Sequence, residues 1–254
     1  MLLKIDLVCD VGCVRQNNED MVLIGDKTYR DACEKDGFDL SENARFAAII
    51  ADGMGGHSGG EHASEMALLH FQDFIDNLDS GLLQEELIAQ LKQWTEKTHC
   101  FVVNEHINKN KPEWDGMGTT FCGIFFYEKI IFSLNIGDSR LYRFRNGILK
   151  QISSDHSMRQ LTGDNTLPSN QIYNSFGAGD SVFIDIKDLS DKLFEDDIFL
   201  ICSDGLCDMI TDEQIEQILE QNPTTENLVN QAKEAGGKDN ISVVLLQVKE
   251  ITCD

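Results

Sequence analysis

The chain has 254 residues, enough for one large domain or two small ones, and 41 % are hydrophobic, enough to build a core. Its 44 acidic and 21 basic side chains leave a formal charge of −23, which excludes a tracker of nucleic-acid phosphates, because that needs a basic face. No apolar run approaches the ~20 residues of a membrane span, and Lys4, Asp6 and Asp10 interrupt the N-terminal apolar residues, so no secretory leader is read there and the cytoplasm is the expected location.

Strand-like runs fall at about 2–10, 20–26 and 45–51. Two helical segments follow, from Glu61 towards Leu78 and over about 83–109, where Leu83, Leu87, Leu91 and Trp94 recur at helical spacing. Further strands are predicted at about 119–127, 130–136, 140–145, 148–152, 181–187 and 197–203. Asn146-Gly147 marks a tight hairpin between the runs at 140–145 and 148–152. A second helical pair, near 211–220 and 225–235, precedes a last strand at 241–249. Short links between successive strands imply antiparallel pairing, and the helices come in two blocks rather than after every strand. The fold class is therefore α+β, a central β-sandwich with helices packed outside. The eight cysteines are scattered and lack the spacing of a zinc knuckle or redox pair, so reduced thiols, mostly in the core, are expected.

The informative feature is where certain acids sit. Asp52, Asp138 and Asp204 each leave an apolar run, and Asp239 enters one. If the last strand runs antiparallel to its neighbours, all four carboxylates reach one end of the sheet, where Glu19 and Asp20 join them. Such a cluster must hold protons or recruit cations. Oxygen donors without Cys or His favour Mg²⁺ or Mn²⁺ over zinc. Other readings of the same segments fail. The glycine-rich stretch 52–64 breaks the dinucleotide fingerprint at Ser58 and lacks a Gly-Lys-Ser/Thr ending. His57, Glu61 and His62 match neither zinc-protease order, and no G-x-S-x-G elbow occurs. Asp155-His156-Ser157 reads as a loop or a helix-start cap rather than a catalytic triad.

Together these segments resemble the metal-dependent Ser/Thr protein phosphatases of the PP2C (PPM) family, in its bacterial form. The resemblance rests on RQNNED at 15–20, ADGMGGHSGGEHAS at 51–64, GMGTT at 116–120, NIGDSR at 135–140, SSDHS at 153–157, CSDGL at 202–206 and GGKDNIS at 236–242, in the family's order. It implies one domain over 1–254, a sandwich of two antiparallel sheets flanked by pairs of α-helices. It also implies a centre of two Mn²⁺ or Mg²⁺ ions with a weaker third. Asp52 would bridge two metals, Gly53 would lend a carbonyl, and Asp204 and Asp239 would hold the other metal. Glu19 and Asp20 would act through metal-bound waters, Asp138 would serve the third ion, and Arg15 would grip the substrate phosphate.

The implied reaction is hydrolysis of phosphoserine and phosphothreonine (EC 3.1.3.16) by a metal-activated water, with no phosphoenzyme. The implied partners are phosphorylated proteins and a cognate Ser/Thr kinase, for a monomer that binds neither nucleic acid nor membrane. Met54 stands where many eukaryotic relatives carry a candidate acid histidine, so metal-bound water or another group would protonate the leaving alkoxide; His57 is a candidate acid, with a structural loop histidine the favoured reading of it. Two segments depart from the family pattern: residues 27–44 read as an added polar loop, and 158–180 as a shortened flap. The rival readings are a non-catalytic phospho-binding module on the same fold and a phosphatase for small phosphorylated metabolites.

Overall fold

A computed structural model describes residues 1–40, 44–55, 58–109, 116–164 and 166–251. The chain opens with β1 (Leu2–Asp10), β2 (Met21–Ile24), β3 (Lys27–Tyr29), β4 (Ala32–Asp39), β5 (Arg45–Ala51) and the short β6 (Gly53–Met54). Helices α1 (Ser58–Asp76) and α2 (Gln84–Lys109) follow. Next come β7 (Gly118–Thr119), β8 (Phe121–Tyr127), β9 (Ile130–Ile136), β10 (Arg140–Arg145) and β11 (Ile148–Gln151). The chain continues through α3 (Met158–Thr162), β12 (Asp185–Asp188), β13 (Ile198–Cys202), α4 (Asp204–Cys207), α5 (Asp212–Gln221), α6 (Thr225–Glu234) and β14 (Ile241–Glu250).

One sheet has the order β11-β10-β13-β14-β1-β4 and the other β12-β9-β8-β5-β2-β3, each antiparallel throughout. Their inner faces meet in a core that includes Ile5, Leu7, Val22, Ile50, Ile124 and Val244. The outer face of the second sheet carries Phe121 and Phe125 against Phe71, Leu91 and Trp94 of α1 and α2. The outer face of the first carries Tyr142, Leu200 and Val243 against Ile215, Leu219 and Leu228 of α5 and α6. Strand β8 is buried along its whole length because even positions face one core and odd positions the other. Helices, sheet, sheet and helices thus form four layers, as the pattern of apolar runs predicts.

Local rules explain several boundaries. Asn146 and Gly147 both have positive φ, at 51° and 76°, and close the β10–β11 hairpin with Arg145 opposite Ile148. Thr211 and Gln214 cap each other at the start of α5. Ser157 accepts from the Gln160 N–H and starts α3, the role expected of its motif. The cysteines that lie among the described residues are free; Cys9, Cys122 and Cys202 are core thiols, whereas Cys13, Cys33 and Cys100 are exposed, a correction to the expected placement.

Over residues 27–39 the polar segment is not a loop. It forms β3 on the edge of one sheet and β4 on the edge of the other. An edge strand needs one hydrogen-bonding neighbour and no continuous apolar face, and β4, mostly exposed, pairs with β1 from Leu2↔Asp39 to Cys9↔Ala32. Among the described residues no helix is long and apolar enough to cross a membrane.

Candidate active site

Strand directions bring the acids together. β2 pairs with β5 so that Met21 faces Ala51, which sets Asp20 beside Asp52. β13 and β14 are antiparallel, with Cys202 opposite Val243, so Asp204 leaving one strand and Asp239 preceding the other share an end. β5 and β9 flank β8 antiparallel on both sides, so Asp52 and Asp138 leave at the same edge. Sequence and topology converge on one rim.

Backbone contacts fix each acid. Asp52 donates its N–H to Thr120 Oγ1 at 3.0 Å, and its carbonyl accepts from the Thr120 N–H and the Thr119 hydroxyl, both at 2.9 Å. Thr120 Oγ1 also meets Ser139 Oγ at 2.7 Å, which ties the Asp52 turn to the Asp138 turn. Gly53 allows the close approach of three segments: a Cβ there would collide with the carbonyls of Gly60 and Glu19. Gly205 permits a similar contact with the Asn240 carbonyl. Ser203 Oγ donates to Asp20 Oδ2 at 2.8 Å. Buried Asn240 accepts the Glu19 N–H at 2.8 Å and donates to the Val11 and Asn17 carbonyls, pinning the loop that carries Arg15.

The turn that bears Asp138 is held from behind. Gly137 donates its N–H to His156 Nδ1 at 3.1 Å and accepts the His156 N–H at 2.9 Å. Asn174 Nδ2 lies 2.8 Å from the same ring nitrogen. Because Nδ1 accepts from Gly137, the ring proton belongs on Nε2, which faces Asp185 at 3.4 Å.

The electrostatics are those of crowded carboxylates. Burial pushes the Asp52 carboxyl well above its usual range, and Asp20, Asp204, Asp138 and Asp239 add to the push. Asp204 rises for the same reason, with Asp138 and Asp239 the nearest contributors. Burial raises Asp20 to about 6 and, with Asp155 nearby, Asp138 to about 7. Glu19 is raised by burial against the pull of Arg15. Arg15, half exposed, donates through Nη2 to Asp239 Oδ2 at 2.7 Å and is held the more firmly protonated. Among the described residues no three Asp, Glu, His or Cys side chains stand close enough together, as placed, to hold a metal ion between them. Strand ends and their hydrogen bonds, not attraction, bring the acids together, and lowering their free energy requires positive charge or protons.

All seven predicted acid and glycine positions, with Arg15, lie on this rim; His57 lies outside the described residues. Sequence reasoning did not single out Ser203, Asn240, Thr119 or Thr120 as supports, although each sits inside a quoted motif. Nor did it single out Arg30, which donates to the carbonyls of Asp20 and Glu61.

Comparison with known proteins agrees with this geometry. The family model described as Protein phosphatase 2C matches residues 25–245. A serine/threonine phosphatase stp of Listeria innocua is 30 % identical over 254 residues, covering 94 % of this chain and 93 % of that protein. Protein phosphatase PhpP of Streptococcus pneumoniae is 31 % identical over 265 residues and covers 98 % of each. The solved S. agalactiae serine/threonine phosphatase superimposes with a TM-score of 0.80 at 27 % identity, over 97 % of this chain and 100 % of that one. The catalytic domain of the phosphatase PstP, solved in complex with two manganese ions, gives a TM-score of 0.71 at 28 % identity, over 98 % and 100 % of the two chains. A matched family model over most of the length, on a sandwich whose acids meet at one rim, makes this chain a member of the protein phosphatase 2C family.

Proposed function

We propose that this chain hydrolyses phosphoserine and phosphothreonine in proteins, using Mn²⁺ or Mg²⁺ held at the acidic rim. The observation that carries this reading is the gathering of Asp20, Asp52, Asp204 and Asp138 at one end of the sandwich, with carboxyls pushed up by burial and by one another. Oxygen donors of this kind fit hard divalent cations. Asp52 and the Gly53 carbonyl would serve one ion, Asp52, Asp204 and Asp239 its neighbour, and Asp138 a weaker third, with Glu19 and Asp20 acting through water. Such cations, when bound, supply the Lewis acidity that readies water for attack near neutral pH.

The residues of the chain do the rest. Arg15 has five N–H donors and spends one on Asp239, so its planar fork can still donate to two phosphoryl oxygens. Its exposed position suits a ligand that arrives on a protein surface rather than in a closed pocket. Asn240 and the loop at 11–19 keep that fork beside Asp239. Thr119, Thr120 and Ser203 hold the acids in place against their mutual repulsion. The relatives named as serine/threonine phosphatases support protein substrates, and a cognate Ser/Thr kinase would supply them. Free cysteines suit a reducing cytoplasm, where we infer that the chain acts as a monomer.

The test is phosphate release from p-nitrophenyl phosphate and from a phosphothreonine peptide, with Mn²⁺ or with EDTA. Turnover of both, lost in EDTA, is expected. Turnover of neither favours a binding module, and turnover of small phosphates alone favours a metabolite phosphatase.

A further inference from the structure

The segment 27–44 crosses from the edge of one sheet to the edge of the other at Arg30-Asp31, where Asp31 takes a φ of +50°. Those two residues bracket Asn18-Glu19-Asp20. Asp31 Oδ1 accepts from Asn18 Nδ2 at 3.0 Å, and Asn18 Oδ1 accepts the Asp20 N–H at 3.2 Å. From the other side, Arg30 Nε donates to the Asp20 carbonyl at 3.1 Å.

The same guanidinium reaches α1. Its Nη2 donates to the Glu61 carbonyl at 2.8 Å and to Ser64 Oγ at 3.1 Å, and its Nη1 pairs with Glu61 Oε1 at 2.7 Å. Ser64, fully buried, donates its hydroxyl in turn to the Glu19 carbonyl at 2.6 Å. Beneath this lattice Gly60 packs against the Glu19 carboxyl group: a Cβ on Gly60 would lie 3.0 Å from Glu19 Cδ. The Arg30 side chain is only 16 % exposed, so these contacts are shielded from water. A guanidinium has five donors in a rigid fork; here they join three acceptors on α1 to the strand-start that carries two acids of the rim.

We propose that Arg30 is a positioning residue that sets the divalent-cation affinity of the acidic rim, by locking Glu19 and Asp20 to the first turns of α1. This rests on the reading of the rim as a cation site. Arg30 touches neither substrate nor any carboxylate of the rim; it acts through the Asp20 carbonyl and through Ser64. Lysine keeps the charge and its pairing with Glu61 but cannot span the three acceptors, so it restores the lock only in part.

The experiment titrates Mn²⁺ into the full chain, with free Mn²⁺ read by electron paramagnetic resonance, for wild type, Arg30→Met, Arg30→Lys, Ser64→Ala and Glu61→Gln. Melting temperature in EDTA is measured in parallel. Loss of a group that orients metal ligands typically costs 10–100-fold in affinity. The expected result is a Mn²⁺ midpoint raised about tenfold in Arg30→Met, with smaller rises in Arg30→Lys and Ser64→Ala and little change in Glu61→Gln. Arg30→Met with a lowered melting temperature in EDTA but an unshifted Mn²⁺ midpoint would overturn the proposal, leaving Arg30 a purely structural residue. Should Arg30→Met fail to fold, unshifted midpoints in both Arg30→Lys and Ser64→Ala overturn it equally. A wild type that binds no Mn²⁺ overturns the cation-site reading itself, and that outcome is told apart because it appears before any variant is compared.

Discussion

Arg15 Nη2 lies 2.7 Å from Asp239 Oδ2, so the cation expected to grip phosphate is bonded to an acid expected to hold metal. Both side chains are more than a third exposed, and an exposed pair contributes little to stability. Arg15→Ala is therefore expected to leave the melting temperature nearly unchanged. Its KM for a phosphothreonine peptide should rise about tenfold, the loss of one charge-assisted contact, with a smaller fall in kcat. Steady-state kinetics in saturating Mn²⁺ check this, and a wild-type KM would remove Arg15 from substrate binding.

Asp204 is crowded by Asp138 and Asp239 as well as by burial. An amide there is neutral, so Asp204→Asn should relieve repulsion and raise the melting temperature in EDTA by a few degrees. The same change removes a donor from the cation site, and turnover should fall by about 100-fold or more. Calorimetry in EDTA beside an activity assay in Mn²⁺ tests both halves; a variant that is less stable and fully active contradicts both.

The pH dependence of stability follows from the raised acids. Asp20, at about 6, and Asp138, at about 7, keep protons when folded that an ordinary carboxyl loses near 4. The folded chain thus binds more protons than the unfolded one between those values, and its stability falls as pH rises through that window. In EDTA, the melting temperature should drop by several degrees from pH 5 to pH 8. Mn²⁺ affinity should climb over the same range, since the cation displaces those protons. A melting temperature that rises through this window would contradict the assignment.

Gly53→Ala drives a methyl group into the carbonyls of Gly60 and Glu19. Overpacking of this kind costs about 1–3 kcal/mol, and the displaced Glu19 should take activity with it. Thermal denaturation and phosphatase assays of this variant should both show loss.

The rim was readable because each acid sits directly at a strand end, and strand ends are marked by local contrast between apolar runs and Asp-Gly turns. The runs at 45–51, 130–136 and 140–145 match the observed strands, since burial on one or both faces writes itself into consecutive residues. Lys27–Tyr29 and Ala32–Asp39 left no such trace. An edge strand with a solvated face is selected by its partner, and Glu34-Lys35-Asp36 carries no apolar alternation. Arg30 was illegible for a related reason: its partners Asp20, Glu61 and Ser64 lie 10, 31 and 34 residues away, and two of its bonds are to carbonyls that any residue type presents.

The edge strands at 27–29 and 32–39 also guard against self-association. They furnish one outermost strand of each sheet, and the exposed residues of β4 include Glu34, Lys35, Asp36 and Asp39. Charges on a terminal strand discourage a neighbouring molecule from adding its own strand there. Removing them would bare the unpaired amide edge of β1, whose centre is a run of buried residues from Ile5 to Cys9, and turn a closed border into a template for intermolecular aggregation.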